Sequence, residues 1–243
     1  MHALRGFGRH LGAAAISGVI VGVLVAGLAG RIAMRVAGFT SRPELIGTLT
    51  SNGNRVGDIT FEGTLALALF SGVAAGIGGG VLYASAEPWL RSRRWKGLIF
   101  GTGLLAALGF TVLDGANIDF KRFGVPVANV AMFAALFILF GLAIAWSFDR
   151  VRRAIDGTGM IARPLEVVAG MAAIVAVGSS IVLFLSPGGL DQLSTVLLIA
   201  IAVLVPPIVH WRGLPRGLGY AAFGAPIVVG SVRTLGGLRD LLI

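Results

Sequence analysis

Seven ionisable side chains lie at or between the ends of long apolar runs, and their types permit two kinds of chemistry. Ionisable groups at membrane depth are costly, so they usually pair with each other or line a polar pathway. The set therefore predicts either an ion-pair girdle that locks helix ends together, which we favour, or a site in which guanidinium groups bind a small anionic solute and carboxylates tune it. The seven residues are Arg31, Arg35, Glu62, Asp114, Asp119, Lys121 and Arg122.

Other chemistries find little support in the sequence. Without cysteine, neither a disulfide framework nor a thiolate metal site can form, and His2, His10 and His210 are too scattered to form a metal site. Residues 101–106 and 217–222 fit the pattern G-x-G-x-x-A, but neither follows a predicted strand, so we predict no dinucleotide or other cofactor. Catalysis would therefore have to use the Asp, Glu or Arg side chains of the seven-residue cluster.

The composition indicates what kind of scaffold holds these residues. Of the 243 residues, 56% are hydrophobic and 13% are charged, whereas soluble domains have about 45–50% apolar and about 25% charged residues. The mean hydropathy is +0.90. The net charge of +9 comes from basic residues near the ends of the apolar runs, which is typical of membrane topology signals rather than of nucleic-acid binding.

The apolar runs predict an all-α polytopic membrane bundle that forms a single integral membrane domain over residues 1–243. Six transmembrane helices are expected, with a seventh, short segment that either spans the membrane or lies re-entrant or interfacial. The predicted spans are 11–37, 60–86, 97–113, 126–148, 165–185, 193–209 and 218–232. Between the first two spans, an Asn-Gly pair at 52–53 separates two β-prone stretches, which predicts either a small β-hairpin or an irregular loop.

Small residues recur every fourth position in the first two spans. Residues four apart share a helical face, so each span carries a stripe with almost no side chain. Such stripes let two helix backbones approach closely in a bilayer. We predict that these two helices pack together as a glycine zipper on which the rest of the bundle assembles. The packing glycines are Gly18, Gly22 and Gly30 in the first span and Gly72, Gly76 and Gly80 in the second.

The distribution of basic residues predicts the orientation. If the N-terminus is cytoplasmic, the inner segments hold twelve Lys and Arg residues and the outer segments hold eight. The excess of basic residues on the cytoplasmic side of membrane proteins favours this arrangement. We predict a multi-pass protein of the inner (plasma) membrane, with the seven-residue charged cluster on the outer side.

The end of the first predicted span carries the motif Gly30-Arg31-Ile32-Ala33-Met34-Arg35. In this motif the chain resembles an uncharacterised group of bacterial multi-pass membrane proteins whose first span ends in G-R-x-A-M-R. The resemblance covers mainly the first half of the chain and implies a membrane protein without implying an activity.

These observations leave three functional hypotheses. The first is a structural or accessory membrane protein that associates with itself or a larger membrane complex. The second is a channel, transporter or binding module for a small anionic solute at the outer charged cluster. The third is a membrane enzyme. The predicted spans hold no ionisable residue at mid-depth, where proton-coupled carriers usually keep one, and this modestly favours the structural hypothesis.

Overall fold

A computed structural model describes residues 2–49, 60–90, 92, 94–113, 118–157, 200, 201, 204 and 215–242. Within these residues the chain is almost entirely helical and forms no β-strand, which confirms the predicted helical architecture for this part of the protein. Four helices are long and apolar enough to cross a membrane: Arg9–Phe39, Phe61–Trp89, Pro126–Ile155 and Arg216–Leu242. The total of six or seven spans remains a prediction.

The first long helix is continuous but contains a π-helical segment. An α-helix, α1 (His2–Val21), runs into π-helix Gly22–Ala29, which runs into α2 (Gly30–Phe39). The helix thus begins at His2, ahead of the predicted start of the first span at residue 11. A single 3₁₀ turn, Pro43–Leu45, follows. The predicted β-hairpin falls mostly on residues 50–59, which lie outside the described residues.

The second long helix also changes its winding. It begins with α3 (Phe61–Ala66), continues through π-helix Leu67–Gly72 into α4 (Val73–Ala86), and ends in a 3₁₀ turn, Glu87–Trp89. Thr60 caps its start, because the hydroxyl of Thr60 accepts a 3.1 Å hydrogen bond from the N–H of Gly63. Pro88 lies in the closing 3₁₀ turn, as expected for a residue that cannot continue a helix.

The remaining described elements complete the bundle. Helix α5 (Lys96–Leu108) ends in a 3₁₀ turn, Gly109–Thr111, and α6 (Ile118–Arg122) is a single short turn before α7 (Pro126–Gly157). Helix α8 (Arg216–Leu242) has 27 residues. The expected short seventh segment, 218–232, is thus part of a longer helix. The helix continues past Arg233, whose guanidinium lies over the Phe110 ring, 5.3 Å from its centroid.

Contacts between the helices give their directions. The two long helices are antiparallel, since His10 lies beside Ala84 and Gly27 lies beside Ala68. Helix α7 is antiparallel to α5, because Gly97 lies against Leu142 and Gly101 lies against Ile138.

Helix α8 runs parallel to α5. Gly103 neighbours Ile227, and further along both helices Gly109 neighbours Thr234. The bundle therefore has two ends. We call one the His10 end, which holds His10, Ala84, Lys96, Phe148 and Tyr220. We call the other the Arg31 end, which holds Arg31, Thr60, Gly109, Asn129 and Thr234.

The two long helices approach each other closely at glycine. A Cβ atom placed on Gly18 would lie 2.9 Å from the carbonyl carbon of Gly76, and one on Gly22 would lie 2.9 Å from the Gly76 nitrogen. A Cβ on Gly80 would lie 3.1 Å from the Gly18 Cα, and one on Gly72 would lie 3.0 Å from the Gly22 oxygen. All of these neighbours are backbone atoms, so no side chain can move aside to make room.

The π-helical segment shifts which residue makes the next contact. Bonds from i to i+5 widen the helix, so residues five apart, rather than four, come round to about the same face. After Gly22 the residue facing the second helix is Gly27 rather than Ala26, and a Cβ on Gly27 would lie 2.8 Å from the Ala68 Cα. Gly30, expected in the same contact, is buried, but a Cβ there would meet only its own helix, 3.9 Å from the Val25 oxygen.

Candidate functional site

The six described members of the predicted charged cluster lie at the Arg31 end of the bundle, on α2, α3 and α6. Arg31 is half-buried on α2, and its Nη2 atom would lie 3.3 Å from a Cβ on Gly63, in the first turn of the second long helix. Glu62 opens that same turn with an exposed side chain. Within the described residues, no ion pair joins Arg31 to Glu62.

Two other cationic members of the cluster, Arg35 and Arg122, are exposed and lie against neighbouring aromatic rings. The guanidinium of Arg35 is 4.7 Å from the centroid of the Phe39 ring, one turn further along the helix. The guanidinium of Arg122 is 5.3 Å from the Phe123 centroid. Cation–π contacts at exposed sites contribute about 0.5–1 kcal/mol each and leave the polar edge of a guanidinium open.

The acidic members and Lys121 complete the set. Lys121 is exposed and Asp119 is half-buried, both on the short helix α6. Asp114 lies outside the described residues. The cluster in the described residues is thus a set of charged groups at one end of the bundle, with Arg31 the member placed between the two long helices.

A loop contact that the sequence did not reveal holds this end together. Gly124 has φ +70°, a conformation that favours glycine. Its N–H donates a 2.9 Å hydrogen bond to the Ser41 hydroxyl, and a Cβ there would lie 2.9 Å from the Ala37 carbonyl oxygen. The side-chain amide of Asn129 donates to the Phe123 carbonyl at 2.8 Å. The loop before α7 is therefore tied to the end of α2.

The opposite end of the bundle, the His10 end, carries an ion pair. Lys96 Nζ lies 2.7 Å from Asp149 Oδ1, joining the start of α5 to the last third of α7. The Lys96 side chain is only 11% exposed and that of Asp149 is 44% exposed. Both residues lie just outside the predicted spans 97–113 and 126–148. The sequence signal for this pair is a single carboxylate, Asp149, directly after one predicted span, and a lysine, Lys96, directly before the preceding span.

At this end, aromatic and imidazole side chains of the two long helices pack against rings of α5 and α7. His10 Nε2 lies 3.1 Å from the carbonyl oxygen of Ala84, with the ring tautomer assigned so that this nitrogen donates. Its ring meets Phe148 edge-on, with centroids 5.1 Å apart. Tyr83 packs edge-on against Phe148 and Phe100, and its buried hydroxyl has no hydrogen-bond partner among the residues that the structure describes.

The glycine contact between α5 and α7 was also missed. A Cβ on Gly97 would lie 2.9 Å from the Gly141 oxygen, and one on Gly101 would lie 2.8 Å from the Phe137 oxygen. Gly97 and Gly101 are four residues apart, as Gly141 and Ala145 are on α7. The same four-residue spacing that marked the first two spans would have identified this pair. Gly101 was considered only within a G-x-G-x-x-A pattern.

The four long apolar helices place this chain among helical membrane proteins. A scan against family models, a search of curated proteins and a search of solved structures each gave no match. The arguments about function therefore rest on the residues and contacts of this chain alone.

Proposed function

We propose that this chain is a structural or accessory membrane protein whose scaffold is the pair of long helices. The proposal is supported by the close approach of Gly18, Gly22 and Gly76, where backbone meets backbone. In a bilayer, helix association depends on such packing rather than on exclusion of water. Ring contacts of His10 and Tyr83 then hold α5 and α7 to this pair at the His10 end, and the Lys96–Asp149 ion pair joins α5 to α7.

The proposal includes seven spans. Helix α7 ends at the His10 end, and α8 begins there, since Tyr220 packs against Trp89 with ring centroids 5.3 Å apart. A chain that leaves and returns on one side of a membrane crosses it an even number of times. Two crossings between α7 and α8 agree with the two apolar runs 165–185 and 193–209. Together with α5, which is shorter than the other helices, this gives seven spans.

The orientation is tested by reporters fused to the two ends of the given sequence. We propose that the His10 end faces the cytoplasm, as the excess of basic residues predicts. A fluorescent protein fused before Met1 is then expected to fluoresce. Alkaline phosphatase fused after Ile243 is expected to be active outside the cytoplasm, because α8 ends at the Arg31 end. Reporters that both indicate one side would contradict the seven-span arrangement.

The structural role is tested by purifying the chain in mild detergent or lipid nanodiscs and identifying what accompanies it by mass spectrometry. A stoichiometric partner protein, or a defined oligomer of this chain, is expected. Whichever association is found should be lost in Gly76→Leu, where the new side chain would meet the backbone of Gly18 and Gly22. It should be kept in Gly78→Leu, where a Cβ has no neighbour within 4 Å. A monomer without a partner would contradict the proposal.

A second candidate function is binding of a small anion at the Arg31 end. The half-buried Arg31 guanidinium lies beside the first turn of the second long helix, where the helix dipole also favours negative charge. Glu62 in that turn opposes an anion. A small anion retained through purification, and lost in Arg31→Gln but not in Arg42→Gln, would favour this function over the structural role.

A further inference from the structure

One face of α7 combines apolar, aromatic and basic side chains in a fixed order. Spacings of three and four residues put them on a single helical face. They run from the middle of the helix toward its His10 end, and all five are exposed: Leu139, Leu142, Trp146, Arg150 and Arg153. Trp146, at 61% exposure, is the most exposed of the three apolar members.

Two arginines at the end of this face keep polar hydrogens available. The guanidinium of Arg150 stacks on the Trp146 ring, 3.6 Å from its centroid. Stacking uses the flat face of a guanidinium, so its N–H edge remains free to bind an anion. Arg153 donates through Nε to the Asp149 carbonyl oxygen at 3.0 Å. This bond does not use the two Nη groups of Arg153, which can still donate to an anion.

The nearest carboxylate on this helix is already engaged. Asp149 accepts from the Lys96 ammonium at 2.7 Å, which offsets the charge of Lys96 and leaves Arg150 and Arg153 without a carboxylate partner in the described part of the chain. The face therefore ends in uncompensated positive charge, and a partner with negative charge is complementary to it.

We propose that this face binds one anionic phospholipid. Its phosphate is held by Arg150 and Arg153, its glycerol region lies at the Trp146 ring, and an acyl chain lies along Leu142 and Leu139. Leu139 and Arg150 are eleven residues apart, which is about 16 Å along a helix. That length is about half of the ~30 Å hydrocarbon core, the depth of one leaflet. The inference is independent of the structural role proposed above.

The test uses the full chain in detergent micelles, titrated with brominated phosphatidylglycerol or brominated phosphatidylcholine, with tryptophan fluorescence as the readout. Bromine in the acyl chain quenches a tryptophan that it contacts. We expect half-maximal quenching at about 25-fold lower phosphatidylglycerol concentration, which corresponds to about fivefold for each of two arginines near the headgroup. The difference should disappear in Trp146→Phe.

Arg150→Gln should reduce the preference for phosphatidylglycerol about fivefold, and the double change Arg150→Gln with Arg153→Gln should abolish it. Arg152→Gln is the matched control, because it removes the same charge from an exposed residue on another face of the same helix. Equal half-quenching concentrations for the two lipids in the unaltered chain would overturn the proposal. So would an equal loss in Arg150→Gln and Arg152→Gln. If the Gln variants do not fold, the comparison of the unaltered chain with Trp146→Phe still decides.

Discussion

Lys96 and Asp149 form a 2.7 Å ion pair between the first residue of α5 and the last third of α7. The two residues are 53 positions apart in the chain. Their burial is unequal, because the lysine side chain is 11% exposed and the aspartate is 44% exposed. Removing the carboxylate therefore leaves a more deeply buried unpaired charge than removing the ammonium does.

The unequal burial predicts unequal effects of removing either partner. Asp149→Asn leaves a largely buried ammonium without its counter-charge and should lower the free energy of unfolding by about 2 kcal/mol, less than the 3–5 kcal/mol of a fully buried pair. Lys96→Met leaves a carboxylate that water can reach and should cost about 1 kcal/mol or less. Thermal unfolding in detergent measures both. A larger loss in Lys96→Met would contradict this account of the pair.

Gly76 and Gly78 offer a matched test of the helix contact. Gly76→Ala should destabilise the protein by about 1–3 kcal/mol, because the added Cβ would lie 2.9 Å from the Gly18 carbonyl carbon and from the Gly22 Cα. Gly78→Ala has open space around its Cβ and should be neutral, or stabilising by up to about 1 kcal/mol through helix propensity. Resistance to thermal unfolding in nanodiscs ranks the two variants. Equal midpoints would refute the contact.

The π-helical segment makes a prediction that an unbroken α-helix does not. A Cβ on Gly27 would lie 2.8 Å from the Ala68 Cα, whereas Ala26 already carries a Cβ and is half-buried. Gly27→Val should therefore cost about 1–3 kcal/mol and Ala26→Val distinctly less. In a regular α-helix the order would be reversed, because Ala26, four residues after Gly22, would face the second helix. Unfolding midpoints of the two variants decide between the two windings.

Replacing Tyr83 tests whether its buried hydroxyl destabilises the protein or makes a stabilising contact. The side chain is fully buried, its ring packs on Phe100 and Phe148, and within the described part of the chain its hydroxyl has no hydrogen-bond partner. Burying an unsatisfied hydroxyl costs about 1–3 kcal/mol, so Tyr83→Phe should stabilise the protein by about 1 kcal/mol while keeping the ring contacts. Phe148→Leu, which removes a ring contact, serves as the destabilising reference. A loss of stability in Tyr83→Phe would show that the hydroxyl has a partner in the membrane.

Much of what defines this protein's class can be predicted from short stretches of its sequence. Long apolar runs and sparse charge dictate helices in lipid, because an isolated backbone polar group has no water to bind there. The four-residue recurrence of Gly18 and Gly22, and of Gly72, Gly76 and Gly80, is likewise visible along the chain, since helix geometry converts spacing into a face. The seven charged residues of the cluster can also be located at or between the ends of the apolar runs from the sequence alone.

The tertiary structure decided which faces and which charges meet. Gly27 rather than Ala26 faces Ala68 because close packing accompanies a change of helical winding, which residue spacing does not report. Lys96 meets Asp149 only because α5 and α7 lie antiparallel, and Gly124, with its positive φ, lies against Ala37 and Ser41, which are distant in the sequence. Local pattern indicates where an apolar helix lies and where its small residues fall along it. Pairing depends on distant atoms filling the same space, and so it appears only in the folded bundle.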